Sequence, residues 1–257
     1  MIKEEIKFAN SCVFEGMTSI RSILSASCAG HNDRKIIKIL FDKNKLKKIS
    51  KDIGYLRAVS EKNGFEIEES CSEEIEKHTL GNSHGGIIAF CSERTIPSLS
   101  EDINLEKNGF YVMIQGIEDP YNFGYSIRSL YACGCNGILL PQRNWMTAAG
   151  VVARSSAGAS ELLPMYTAEA HNSIEFFRKR GYSIVCADER TDLILGKCEL
   201  KLPILLIVGG EKRGISASIL KNADTVIKIP YARRFSASLS AASATTMLAY
   251  EISRQNY

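Results

Sequence analysis

No apolar run in the 257 residues approaches the ~18–20 needed to span a bilayer, and Ile204–Val208 is typical of what there is. The first residues, Met1-Ile-Lys-Glu-Glu-Ile-Lys7, mix both charge signs and lack the apolar stretch of a signal peptide. The eight cysteines form no Cys-x-x-Cys pair, and no histidine stands at zinc-ligand spacing, so neither a disulfide framework nor a metal site is expected. Gly-x-x-x-x-Gly-Lys-Ser/Thr is missing, as is Gly-x-Gly-x-x-Gly, which argues against a triphosphate loop and a dinucleotide-binding turn. Internal repeats and low-complexity tracts are absent too. These absences predict a cytoplasmic protein with reduced thiols, no bound metal and no membrane partner.

What is present is an ordinary globular composition, 45% hydrophobic and 24% charged, on a chain long enough for more than one average domain. Collagen-like, disordered and small disulfide-scaffold classes are excluded. The net charge of +3 hides a local separation. Arg34 to Lys62 carries ten basic and three acidic residues, while Glu66 to Glu76 carries six acidic and no basic ones. The basic stretch reads either as a solvated helix face or as a patch that steers a phosphate backbone.

The polar segment Ser92–Gly109, containing Pro97, separates two apolar-patterned regions and marks a domain boundary. The expected division is a small mixed α/β domain over residues 1–92, a linker over 93–108 and a larger α/β domain over 109–257. In the first, Ile36–Phe41 and Gly86–Phe90 read as strands, and Met17–Leu24 and Leu46–Lys62 as helices. In the second, the short apolar runs Phe110–Ile114, Gly137–Leu140, Tyr182–Ala187, Leu205–Val208 and Val226–Ile229 alternate with helical patterns. Those patterns are Phe123–Cys133, with Phe123, Ile127, Leu130 and Tyr131 on one face, then Thr147–Ser155, Ser173–Arg180 and a last helix from about Leu239 to Arg254. This alternation predicts a mostly parallel sheet.

Ligands of parallel α/β sheets bind beyond the carboxyl ends of the strands, so three loops matter most. The first is Gly116-Ile-Glu-Asp-Pro-Tyr-Asn-Phe-Gly-Tyr-Ser-Ile-Arg128. Here Asn122 reads as a helix N-cap, and Arg128 as a phosphate clamp near a helix start. The second, Gly209-Gly-Glu-Lys-Arg-Gly214, offers bare backbone to a ligand. The third begins Ile229-Pro-Tyr-Ala-Arg-Arg-Phe-Ser-Ala-Ser-Leu-Ser240, where Arg233 and Arg234 precede a serine-rich turn and suit a phosphate.

In this order and at these separations the loops resemble the motifs of the SpoU-type (SPOUT class, TrmH-like) RNA 2′-O-ribose methyltransferases. Asn122-Phe-Gly-Tyr-Ser-Ile-Arg128 looks like the first motif, Gly209-Gly-Glu211-Lys-Arg-Gly214 the second, and Ile229-Pro with Ser238-Leu239 and Tyr250-Glu251 the third. The stretch Ala153–Pro164 is similar to the family's small-residue segment, and the resemblance covers 109–257. Val13–Arg21 and His84–Ala89 are similar to the substrate-binding domain that often precedes it.

The resemblance implies an α/β domain with a C-terminal trefoil knot, S-adenosylmethionine as cofactor, a homodimer, and RNA as substrate, ribosomal RNA first with transfer RNA as the nearest alternative. It implies catalytic positions at Asn122, Arg128, Glu211 and Ser238, and cofactor-binding positions at Gly209, Gly210, Gly214, Ile229 and Leu239. Arg21, Arg233 and Arg234 are the implied RNA contacts. Arg128 is better suited to anchor a phosphate and a developing alkoxide than to act as base. Glu211 either holds a neighbouring Asn or Arg or caps a turn. One departure stands out: the third motif usually reads Ser-Leu-Asn-x-Ser, and this chain has Ser238-Leu239-Ser240-Ala241-Ala242. That difference motivates a second reading, a non-catalytic RNA-binding or assembly protein that keeps the fold.

Overall fold

The computed structural model describes residues 12–79, 84–141, 148–210 and 214–257. They form two compact units, one comprising the described residues up to Thr95 together with those in 144–162, the other Ile96–Arg143 and Leu163–Tyr257.

In the first unit β1 (Val13–Glu15), α1 (Gly16–Ala29), β2 (Ile36–Asp42), α2 (Leu46–Asn63), β3 (Glu66–Ser70), α3 (Ser72–His78) and β4 (Ile87–Cys91) follow one another. The strands lie in the order β1-β4-β2-β3, with β4 antiparallel to both neighbours and β3 parallel to β2. Phe14, Ile39, Phe41 and Ile87 from the sheet share a core with Ile20 and Ile23 of α1 and Ile49, Ile53 and Leu56 of α2. The spacing of the last three is the apolar stripe that makes α2 a helix, and Gly64 in the left-handed region (φ 69°) ends it. The acidic run Glu66–Ser70 has no apolar alternation to announce a strand, yet β3 forms at the sheet edge, where charged side chains remain in solvent. Lys38 of β2 meets Glu68 there at 2.6 Å.

Two short helices, α5 (Ala149–Ser155) and α6 (Ala159–Leu162), complete this unit, although the sequence division places them in the larger domain. Their small residues permit close approach. A Cβ on Gly158 would lie 1.9 Å from Ser22 Oγ, and one on Gly150 would lie 2.1 Å from the Val13 carbonyl oxygen. Glu161, only 2% exposed, accepts from Arg34 Nε at 2.9 Å. The Arg34 guanidinium also donates to the Ser92 carbonyl and lies over the Phe14 ring. Arg34 therefore belongs to the basic stretch by sequence but to the core by structure.

The second unit is built on six strands: β5 (Phe110–Ile114), β6 (Gly137–Leu140), β7 (Met165–Thr167), β8 (Ser183–Ala187), β9 (Ile204–Val208) and β10 (Thr225–Ile227). They lie in the order β10-β8-β9-β5-β6-β7 and every pair is parallel. β5 and β9 are buried along their whole length, as continuous apolar runs in a parallel sheet should be. Helices α4 (Pro120–Ala132), α7 (Ala170–Arg178), α8 (Ala217–Lys221) and α9 (Ala241–Asn256) accompany them. Ile174, Phe176 and Phe177 of α7 pack with Tyr111, Tyr182 and Leu205. The short strand β7 is too brief for its pattern to be read from sequence.

The expected linker is laid along this unit for much of its length. Thr167 N donates to the Pro97 carbonyl and Leu99 N to the Thr167 carbonyl, while Leu99 and Leu105 pack against the core. Among the described residues no helix is long and apolar enough to cross a membrane.

Candidate active site at the strand carboxyl ends

Ile114 and Val208 are partners in the β5–β9 register, so the loops that follow leave the sheet side by side. Gln115 N donates to the Val208 carbonyl at 3.0 Å. Beyond it the two backbones touch: a Cβ on Gly210 would lie 2.5 Å from the Gln115 carbonyl oxygen and 2.7 Å from Gly116 Cα. Gly116 itself has φ 67°, a conformation that favours glycine. Gly209 is equally confined, its Cβ position lying 2.7 Å from the Gly214 carbonyl carbon. Gly214 N closes the second loop on the Gly210 carbonyl at 3.1 Å. Glu211 lies outside the described residues.

The first loop leads into α4. Asp119, not Asn122, caps that helix, accepting from Tyr121 N at 2.7 Å, with Pro120 at the first helical position. The Asp-Pro pair is a helix-start signal that outranks an Asn three residues later. Asn122 is therefore inside the first turn, where its carbonyl accepts from Ser126 Oγ at 2.8 Å. Arg128 is exposed and makes no hydrogen bond or ion pair among the described residues. Phe123, Ile127 and Leu130 are buried as their spacing implies, whereas Tyr131 is 46% exposed and lies off that face.

The third loop follows β10. Ile229 and Leu239 are half-buried, and Tyr231 to Ser238, including Arg233 and Arg234, are exposed. Leu239 N donates to the Tyr231 hydroxyl at 3.1 Å, a bond across the loop that no motif announces. Ser240 is the N-cap of α9, its hydroxyl accepting from Ser243 N at 3.2 Å. Serine and asparagine are about equally good N-caps, so Ser240 fills this position as well as an asparagine would. Further along α9, Thr246 Oγ1 donates to Ser129 Oγ at 2.7 Å, joining the helix after the third loop to the turn that carries Arg128. Two close approaches, Gly116 with Gly210 and α4 with α9, thus gather all three loops of the second unit. Arg21 is not among them: it stands on α1 of the first unit, paired with Asp52 at 2.8 Å.

The model of the SpoU rRNA methylase family matches residues 109–250. The chain belongs to that family. A Bacillus subtilis (strain 168) protein named for the TrmH family of tRNA/rRNA methyltransferases, YacO, is 27% identical over 229 residues, 87% of this chain and 90% of that protein. A Mycolicibacterium paratuberculosis protein named as an uncharacterized tRNA/rRNA methyltransferase is 34% identical over 145 residues, 56% of this chain and 47% of the relative. Among solved structures, an RNA 2′-O ribose methyltransferase superposes with TM-score 0.78 at 20% identity, covering 95% of this chain and 88% of that one. An rRNA methyltransferase of Sinorhizobium meliloti, solved with bound AdoMet, gives 0.76 at 22% identity over 98% and 94%.

In this SpoU-family chain the end of the third motif forms a clamp within α9. Glu251, 9% exposed, takes both Arg254 and Gln255, at 2.7 Å from each. Those hydrogen bonds, Arg254 first, hold its carboxyl down at about 2. Gln255 and Asn256 then bind the backbone of Cys198, Leu200 and Leu202. Sequence reading finds the Tyr-Glu dipeptide but not the backbone that Gln255 and Asn256 reach, more than fifty residues away. Burial pushes the Cys135 and Cys186 thiols up to about 12, which fits packed groups without a reactive role.

Proposed function

We propose that this chain is an S-adenosylmethionine-dependent methyltransferase acting on a ribose 2′-hydroxyl of structured RNA, ribosomal RNA in preference to transfer RNA. The observation that carries the reading is the convergence of the three motif loops at the ends of β5, β9 and β10. The preference for ribosomal RNA is supported by the likeness to an rRNA methyltransferase that extends over 98% of the chain, both units included.

The residues at this place fit the cofactor. Gly209, Gly210 and Gly214 offer peptide groups without side chains, and the half-buried Ile229 and Leu239 add apolar surface. When bound there, S-adenosylmethionine supplies an electrophilic methyl group. What remains for the protein is chiefly positioning. Arg128 carries a permanent cation on a helix joined to the third loop, so it is assigned to hold an RNA phosphate and the oxygen that gains negative charge. Arg233 and Arg234, exposed on the third loop, are assigned to further phosphates. Asn122, Glu211 and Ser238 are assigned to orient these groups.

We also infer that the C-terminal segment of the second unit is threaded as a trefoil knot. Residues 193–195 hydrogen-bond to Lys228 just after β10, and Cys198–Leu202 bind the end of α9, so one loop is held by both sides of the C-terminal segment.

The test is to map 2′-O-methylation on cellular RNA with and without the protein, and to repeat it with Arg128→Ala. Methylation at one or a few nucleotides should disappear in both cases, while calorimetry on the variant finds S-adenosylmethionine affinity within about two-fold of the original. Equal loss of cofactor binding and methylation would remove the role assigned to Arg128.

A further inference from the structure

The outward face of α2 carries a stripe of cations that the candidate active site does not use. On a helix of 100° per residue, Ile49, Ile53 and Leu56 define the buried side. Lys47, Lys48, Lys51, Tyr55 and Lys62 fall on the opposite side, within an arc of about 100°, and all are exposed. From Lys47 to Lys62 the stripe is about 22 Å long.

None of these four lysines makes an ion pair among the described residues. Of the acidic run, Glu68 is taken by Lys38 and Glu74 by Lys77, and among the described residues no ion pair joins that run to these lysines. Asp52, on the flank of the helix, is taken by Arg21. Ala58 lies within this arc and Gly54 at its edge, both midway along the stripe, so a bulky ligand can come close to the helix backbone.

The chemistry of the face selects among polyanions. Tyr55 is its one aromatic ring, and the Arg21 guanidinium already lies 5.4 Å from the ring centroid. Single-stranded RNA is gripped by rows of free rings on which bases stack, and no such row exists here. Duplex RNA is recognised by shape and by its phosphates, for which a straight row of unpaired lysines beside small residues is suited.

We infer that the outward face of α2 docks the phosphate backbone of a double-helical stem in the RNA substrate, independently of sequence. The inference rests on the RNA-methyltransferase reading but is measured by a separate quantity. The experiment compares the full chain with the triple variant Lys47→Gln, Lys51→Gln, Lys62→Gln, using as probes a 20-base-pair RNA duplex, a single-stranded RNA of the same length and phosphatidylserine-containing vesicles.

The variant should melt as the original does and bind S-adenosylmethionine equally well. Its affinity for the duplex should fall about ten-fold or more, with the slope of log affinity against log salt reduced by about two to three. Binding of the single strand should change by less than about two-fold, and the triple Lys→Arg variant should restore duplex binding. Unchanged duplex affinity and salt slope would overturn the docking inference and leave the methyltransferase reading standing. Loss confined to vesicles would overturn it in favour of a membrane surface. Failure of the original protein to bind or methylate any RNA, with cofactor binding intact, would overturn both.

Discussion

At the scale of single residues, the glycines at the strand ends are where sequence and chemistry meet most directly. Gly210 has no room for a side chain because backbone, not a movable side-chain tip, occupies the Cβ position. Gly210→Ala should therefore cost about 1–3 kcal/mol of stability through overpacking and weaken S-adenosylmethionine binding at least about ten-fold. Urea titration and calorimetry on the same variant check the two parts; an alanine accepted without loss of either would show that the close approach to Gly116 is not needed. Ser240 teaches the converse lesson. It departs from the motif, yet its hydroxyl caps α9, a local task for which serine and asparagine are about equally suited. Asp119 is a cap that the sequence carries locally, since an Asp followed by Pro starts a helix for reasons confined to a few residues.

At the scale of elements, α9 does two things that its sequence alone does not reveal. Its start is tied to the third loop, and its end is tied through Glu251, Arg254 and Gln255 to residues 198–202. Glu251 has its carboxyl lowered from 4.5 to about 2, so the native state binds fewer protons than the unfolded chain in that interval. The stability from this group is present above pH 4.5 and is lost as pH falls toward 2. Urea midpoints measured between pH 5 and pH 2.5 should drop more steeply for the original protein than for Glu251→Gln, and parallel curves would refute the assignment. The apolar strands β5, β6 and β9 were plain in the sequence because burial on both faces leaves continuous runs of Ile, Leu, Val, Phe and Met. β3 was not, because an edge strand has no need of such a run.

At the scale of the whole molecule, the buried pair Arg34–Glu161 ties together segments 127 residues apart in the chain. Removing one member leaves a buried charge unpaired, so Glu161→Ala should cost about 3–5 kcal/mol, and Arg34→Met with Glu161→Leu should recover most of it. Chemical denaturation of the single and double variants decides this, and a small loss in the single variant would count against it. A second copy is the other question at this scale. Tyr121 and Tyr125 on α4 and Met247 and Tyr250 on α9 are 42–61% exposed on two helices packed together, the kind of surface that a homodimer covers. Sedimentation equilibrium should find a dimer, and Met247→Glu with Tyr250→Lys should produce a monomer with methylation lost. A monomeric original protein would end the dimer proposal.

The sequence by itself determined the parallel α/β sheet, the place of the three loops at strand ends and the identity of the residues in them. All of these depend on short-range pattern: apolar runs, helix periodicity and motif spacing. Only the tertiary structure decided that residues 148–162 belong with the first unit, that Arg34 is core while the lysines of α2 are surface, and that Gly116 meets Gly210. Each of those outcomes depends on pairing between distant segments, through a buried ion pair, a helix face chosen by its packing partner, or two backbones brought into contact by strand register. Such pairings leave no mark at either position alone, which is why composition returned only a net charge of +3 where the fold separates a structural cation from an unpaired basic face.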